Sequence, residues 1–270
     1  MTVQATTPFA KLSNWLNRRR PTVLHIAGDV GAGPVAVLIH GIASSSVTFQ
    51  NLVPLLRPHK RTISIDILGF GESVAPPGTE YTIEEHVAAL HATIRSLDLA
   101  SPFVLVGHSL GALIASRYAA VHQNRVAKLV LVGPPIYLAP TEIGDRRVRA
   151  RVETYLRVYN FLRENKTFTL RNAAVIARLM PIKNVFEVTE DNWDAFVKSM
   201  KNCIEQQTLI SDVATVHVPV EVVYGSLDAF IAPGSMTVIE RMRHVTVHRV
   251  KINDHLIRRR LARVVARAIG

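Results

Sequence analysis

Cysteine is all but missing from this chain. The single one, Cys203, cannot form an intramolecular disulfide, and its neighbours Lys201-Asn202-Cys203-Ile204-Glu205 offer no catalytic partner. Long apolar runs are missing too. No stretch of about 18 apolar residues occurs, so no transmembrane segment is expected. The opening MTVQATTPFAKLSNWLNRRR lacks the continuous apolar core of a secretory signal, which makes the cytoplasm the expected compartment. Internal repeats, low-complexity tracts and linker-like stretches are also lacking. Zinc-finger spacings and aromatic RNA-binding motifs do not occur, so the formal net charge of +11 is not read as a nucleic-acid-binding surface.

The basic excess lies at the ends, in Arg18-Arg19-Arg20 and then Arg258-Arg259-Arg260, Arg263 and Arg267. These side chains suit a solvated helix face, a contact between subunits of a homo-oligomer, or a peripheral contact with an anionic surface. Phe9, Leu12, Trp15 and Leu16 recur at helical spacing, and packing on their own domain is the plain expectation.

With 48% hydrophobic and 20% charged residues, the 270-residue chain has the apolar mass for one large core. Short apolar runs alternate with helical patterns, as in a mostly parallel sheet covered by helices. The runs are Val23 to Ile26, Val35 to Ile39, Thr62 to Asp66, Phe103 to Val106, Lys128 to Val132, Val220 to Tyr224 and Thr246 to Val250. Helices are expected over Ile83 to Leu97, opened by a Thr82/Glu85 capping box, over Leu110 to His122 and over Ile257 to Ile269. From Tyr137 to about Asp212 strand signals vanish and helical ones replace them. The expected organisation is therefore a core of residues 1–136 and 213–270 with a helical lid of residues 137–212 over the carboxyl ends of the strands. Within it, Leu138, Tyr155, Phe161 and Met180 either line a pocket or pack the lid.

Gly107-His108-Ser109-Leu110-Gly111 sits directly after one strand pattern and directly before a helical one. That context fits a nucleophile elbow, whose sharp turn strains the serine backbone and needs glycines on either side. A serine hydroxyl needs a general base, and the base needs an acid to orient it. In the elbow architecture the acid and then the histidine follow the nucleophile in the chain. Asp228, after the run Val220 to Tyr224, and His255, after the last run, occupy those positions. Asp254 adjoins His255 too closely to orient it. Among the competing histidines, His244 and His248 lie before or within the last run, His86, His91 and His122 fall in helical patterns, and His108 is read as packing. For the oxyanion, the backbone amides of Leu110 and Ile42 are nominated, the latter in the loop His40-Gly41-Ile42-Ala43-Ser44-Ser45-Ser46. The three serines of that loop are expected to satisfy backbone groups.

Together with Asp66-Ile67-Leu68-Gly69-Phe70-Gly71-Glu72-Ser73 and the Gly225 to Asp228 turn, these residues resemble the α/β-hydrolase superfamily over nearly the whole chain. The resemblance implies an α/β-hydrolase fold, with a mostly parallel central sheet flanked by helices and a helical cap inserted after the sixth strand. Serine at the elbow argues against the haloalkane dehalogenases and most epoxide hydrolases of that superfamily, which use aspartate. Asp254 stands where a glycine commonly precedes the histidine, and Ala112 replaces a frequent glycine. The expected activity is hydrolysis of a small or medium carboxylic ester through an acyl-enzyme, without metal or organic cofactor. Alternatives are cleavage of a carbon-carbon bond in a ring-cleavage product, a ligand-binding signalling protein on the same scaffold, and a basic scaffold for nucleic acid.

Overall fold

Six of the seven apolar runs become strands of one sheet, and the first, Val23 to Ile26, leads into the remaining strand. The computed structural model describes residues 22–136, 146–179, 186–228, 230–231 and 236–270. The strands are β1 (Ile26–Val30), β2 (Val35–Ile39), β3 (Arg61–Ile65), β4 (Phe103–His108), β5 (Val126–Val132), β6 (Val220–Gly225) and β7 (Val245–Val250), in the order β1-β3-β2-β4-β5-β6-β7. β1 pairs antiparallel with β3 and every other pairing is parallel. The central strands read as continuous apolar runs because both of their faces are covered. Val37 and Ile39 enter one core cluster while Ala36 and Leu38 enter the other. This is the two-residue alternation of a strand, and each such buried side chain contributes about 1.5–3 kcal/mol.

β1 begins three residues later than the Val23 run suggested. Leu24 and His25 donate their backbone N–H groups to the hydroxyls of Thr93 and Ser73 instead of to a ladder. The polar Gly28-Asp29 is tolerated further on because β1 is an edge strand and largely exposed.

The helices are α1 (Val53–Leu56), α2 (Ile83–Ser96), α3 (Leu110–Val121), α4 (Arg146–Glu164), α5 (Lys166–Leu179), α6 (Trp193–Ser199), α7 (Leu209–Thr215), α8 (Met236–Glu240) and α9 (Arg259–Ile269). Thr82 caps α2 by accepting from the Glu85 amide while the Glu85 carboxylate accepts from the Thr82 amide, the reciprocal box expected. α9 buries Leu261, Ala262, Val265, Ala268 and Ile269 and leaves Arg259, Arg260, Arg263 and Arg267 exposed, so these C-terminal arginines occupy a solvated helix face. The N-terminal arginines and the Phe9 to Leu16 pattern lie outside the described residues.

Between β5 and β6 the described elements are helices, with a π turn at Met200–Ile204 continuing α6. The block thus follows the fifth described strand, not the sixth that the resemblance implied. Five strands are described between residues 22 and 136, and the block begins after the fifth. The expected lid boundary at Asp212 falls inside α7, which is tied to α3: the Arg117 guanidinium lies 3.0 Å from Asp212 Oδ1 and donates to Thr208 Oγ1 at 2.6 Å. No described helix is long and apolar enough to cross a membrane.

Candidate active site

The parallel strands all end at one edge of the sheet, and the candidate residues follow from that. Ser109 is the residue between β4 and α3, with φ 54° and ψ −121°, a conformation L-residues adopt only under constraint. The constraint is close packing. A Cβ on Gly107 would stand 2.2 Å from the Gly111 carbonyl oxygen, and one on Gly111 would stand 2.4 Å from those of Ile39 and His40. Both glycines let the elbow wedge between β2 and α3.

Asp228 and His255 come from the loops after β6 and β7. Those loops are laced together, since Ser226 N donates to Val250 O and Leu227 N to Asn253 O, each at 2.9 Å. His255 Nδ1 lies 2.8 Å from Asp228 Oδ2, while Asp228 Oδ1 accepts the Phe230 amide at 3.0 Å. The carboxylate side chain is 1% exposed. A carboxylate can only accept, so this pairing has His255 present Nδ1–H to Asp228 and leaves Nε2 as the acceptor. Ser109 and His255 line one cavity of about 430 Å³. Asp254 lines the same cavity and forms a two-pronged ion pair with Arg258.

The loop after β2 runs against the elbow, where a Cβ on Gly41 would meet Ser109 Cβ at 2.7 Å. His40, fully buried, holds this loop. Its Nδ1 donates to Gly41 O at 2.8 Å and its Nε2 accepts the Ile67 amide at 3.0 Å. Burial outweighs the nearby Asp66 charge and lowers its pKa to about 4, so it is neutral. Asp66 anchors the next stretch, accepting the Ser46 and Glu72 amides at 2.9 and 3.1 Å. Ser44 bonds Thr48 and Ser45 caps the turn Ser46–Phe49, so both settle local polar groups as expected, although Ser44 also lines the cavity. Ile42 lines the cavity as well. Leu110 is the first residue of α3, where amides have no partner within the helix.

Most of the remaining cavity wall is apolar, including Leu162 of α4, Phe186, Phe196, Met200 and Ile204 from the helical block and Phe230 from the acid loop. Phe161 stands apart from the cavity, half exposed against Phe168. Leu138, Met180 and the side chain of Tyr155 lie outside what is described. Cys203 is buried, donates to Tyr81 O, and burial pushes its pKa up to about 12, which keeps it a thiol.

One residue differs from its expected role. His108, read as packing, donates from Nε2 to the backbone oxygen of His255 at 3.0 Å, and its ring lies 4.8 Å from the His255 ring. The elbow geometry that read His108 as packing does not reveal what its ring meets, and the residue lines the same cavity as Ser109 and His255. The competing histidines have partners elsewhere: His86 bonds Ser199, His91 stacks on His122, His244 bonds Val213 O and His248 pairs with Glu221.

Residues 34–203 match the family model described as alpha/beta hydrolase fold. The chain is similar to a 2-hydroxy-6-oxo-6-(2'-aminophenyl)hexa-2,4-dienoic acid hydrolase of Metapseudomonas resinovorans, 28% identical over 214 residues, 75% of this chain and 71% of that one. It is also similar to a probable lysophospholipase, BODYGUARD 1, of Arabidopsis thaliana, 32% identical over 146 residues, 52% of this chain and 30% of the relative. The match thus spans less than a third of the Arabidopsis protein. Among solved structures, an esterase (EaEST) from Exiguobacterium antarcticum superposes with a TM-score of 0.71 and 19% identity over 93% of this chain and 99% of that one, a likeness of fold. With more than half of its length matched by the family model, the chain belongs to the α/β-hydrolase family.

Proposed function

We propose that this protein is a serine hydrolase that cleaves a small or medium carboxylic ester through an acyl-enzyme. The observation that carries the reading is the His255–Asp228 hydrogen bond of 2.8 Å at the wall of the cavity that Ser109 also lines. Ser109 Oγ attacks the ester carbonyl while His255 Nε2 takes its proton, and Asp228 stabilises the resulting imidazolium. The amides of Ile42 and Leu110 receive the oxyanion. Collapse of the tetrahedral intermediate breaks the C–O bond, and His255 returns the proton to the departing alcohol. Water, deprotonated by His255, then releases the acid. The helical block serves as the lid that walls the acyl site.

A neutral substrate suits the wall better than an anion does. Among its described residues the one Lys or Arg is Arg258, and its guanidinium already holds Asp254. The second reading, carbon-carbon hydrolysis of a dienoate, draws its support from the Metapseudomonas relative.

The test is a chain-length series of chromogenic esters run beside a coloured ring-cleavage dienoate. Ester turnover with an initial burst, lost in Ser109→Ala, is expected. Unchanged ester turnover in Ser109→Ala would overturn the mechanism. Turnover of the dienoate alone would move the protein to the second reading.

A further inference from the structure

His108 emerges from a question about how the base is held. Asp228 fixes the His255 ring from one side, but a ring is only as well placed as the backbone that carries it. That backbone lies in the turn 252–256, where Ile252 has φ 55°. Most hydrogen bonds of the turn stay within it or reach the acid loop: Asn253 Nδ2 donates to Asp254 O and Leu256 O, Leu256 N donates to Asp254 Oδ1, and Ile252 N donates to Ser226 Oγ. Among the described hydrogen bonds of this turn, the one that reaches the nucleophile's own segment is His108 Nε2 to His255 O, at 3.0 Å across 147 residues of sequence.

We infer that His108 is a positioning residue: its Nε2–H clamps the His255 carbonyl and thereby sets the distance between the base and Ser109, to which His108 is directly bonded. The inference rests on the triad reading above. Three features make the residue suited to this task. Its acceptor is a carbonyl, so the proton must be on Nε2, and Nδ1 is correspondingly the buried ring nitrogen without a partner. The residue is buried, 5% exposed, which limits competition from water for the bond. Burial, with the nearby His255, lowers its pKa to about 3, which keeps it neutral beside the imidazolium that catalysis forms on His255. A Lys or Arg donor here would place a permanent charge against that imidazolium.

The decisive contrast is His108→Gln against His108→Met in the full chain, two side chains of similar length and volume of which only glutamine carries an N–H. Kinetics on a chromogenic ester, inactivation by a serine-directed phosphonate and thermal melting are measured for both, beside Ser109→Ala and His255→Ala. His108→Met is expected to lower kcat and the phosphonate rate about tenfold or more, with KM within about twofold, because small misplacements of a reacting group are costly. His108→Gln is expected to stay within about threefold of the parent. A methionine variant at parental kcat would overturn the clamp, as would a glutamine variant that falls with the methionine one. If His108→Met does not fold, His108→Ala takes its place against glutamine under the same criteria. Loss of turnover in Ser109→Ala and His255→Ala beside an unaffected His108→Met would sink this inference alone. Retained turnover in Ser109→Ala would sink the triad and the clamp together.

Discussion

Histidine is the residue whose behaviour in this protein depends most on where it is put. His255 reaches a carboxylate, while His40, His86 and His108 are sealed in the interior with burial lowering their pKa values to about 4, 3 and 3. An unfolded histidine takes a proton near pH 6.5. Below that value the unfolded chain binds more protons than the folded one, so stability falls as the pH drops. The loss is up to about 1.4 kcal/mol per pH unit for each histidine until its folded value is reached. Thermal melts between pH 7 and pH 4.5 are therefore expected to show a steepening decline, and a flat profile over that range would contradict the burial of these rings. Asp228→Asn is the complementary test. An amide can present an N–H to His255 Nδ1, reversing the tautomer, and kcat is expected to fall about 10³- to 10⁴-fold with the fold intact by melting.

At the scale of elements, the site is a junction of loops that follow β2, β4, β6 and β7. The loop after β2 has the least room. Gly41→Ala would drive a methyl to 2.7 Å from Ser109 Cβ, well inside contact distance. Either Ser109 or the loop carrying Ile42 must shift, so kcat is expected to fall about tenfold or more while stability changes by roughly 1–3 kcal/mol. Parental kinetics in this variant would show that the loop yields freely. The helical block reaches the same junction, because the Glu187 amide donates to the Ala43 carbonyl at 2.7 Å.

For the molecule as a whole, two layers of apolar packing hold a sheet beside a cavity that Leu162, Phe196, Met200 and Ile204 of the helical block help to line. Phe196, 4% exposed on α6, belongs both to the main core cluster and to the cavity wall. Phe196→Ala is expected to cost about 3–5 kcal/mol of stability and to move the preferred ester toward longer acyl chains. The chain-length profile and a melting curve together check this. An unchanged optimum would place acyl recognition elsewhere in the cavity.

Sheet, elbow and triad candidates were legible in the sequence because they are local. A run of Val and Ile reports a buried strand, and Gly-x-Ser-x-Gly between a strand and a helix reports a turn that only glycine-flanked backbone can make. The places of Asp228 and His255 followed from chain order, in the loops after the last two strand patterns. Tertiary structure alone decided the contacts. Nothing in Gly107-His108-Ser109 says that the histidine meets a carbonyl 147 residues away, and no period in the helical block singles out Leu162 rather than Phe161 for the cavity. Periodicity records which face of an element is buried, whereas the partner on that face is set by how distant elements cross, and that crossing leaves no regular mark on the chain.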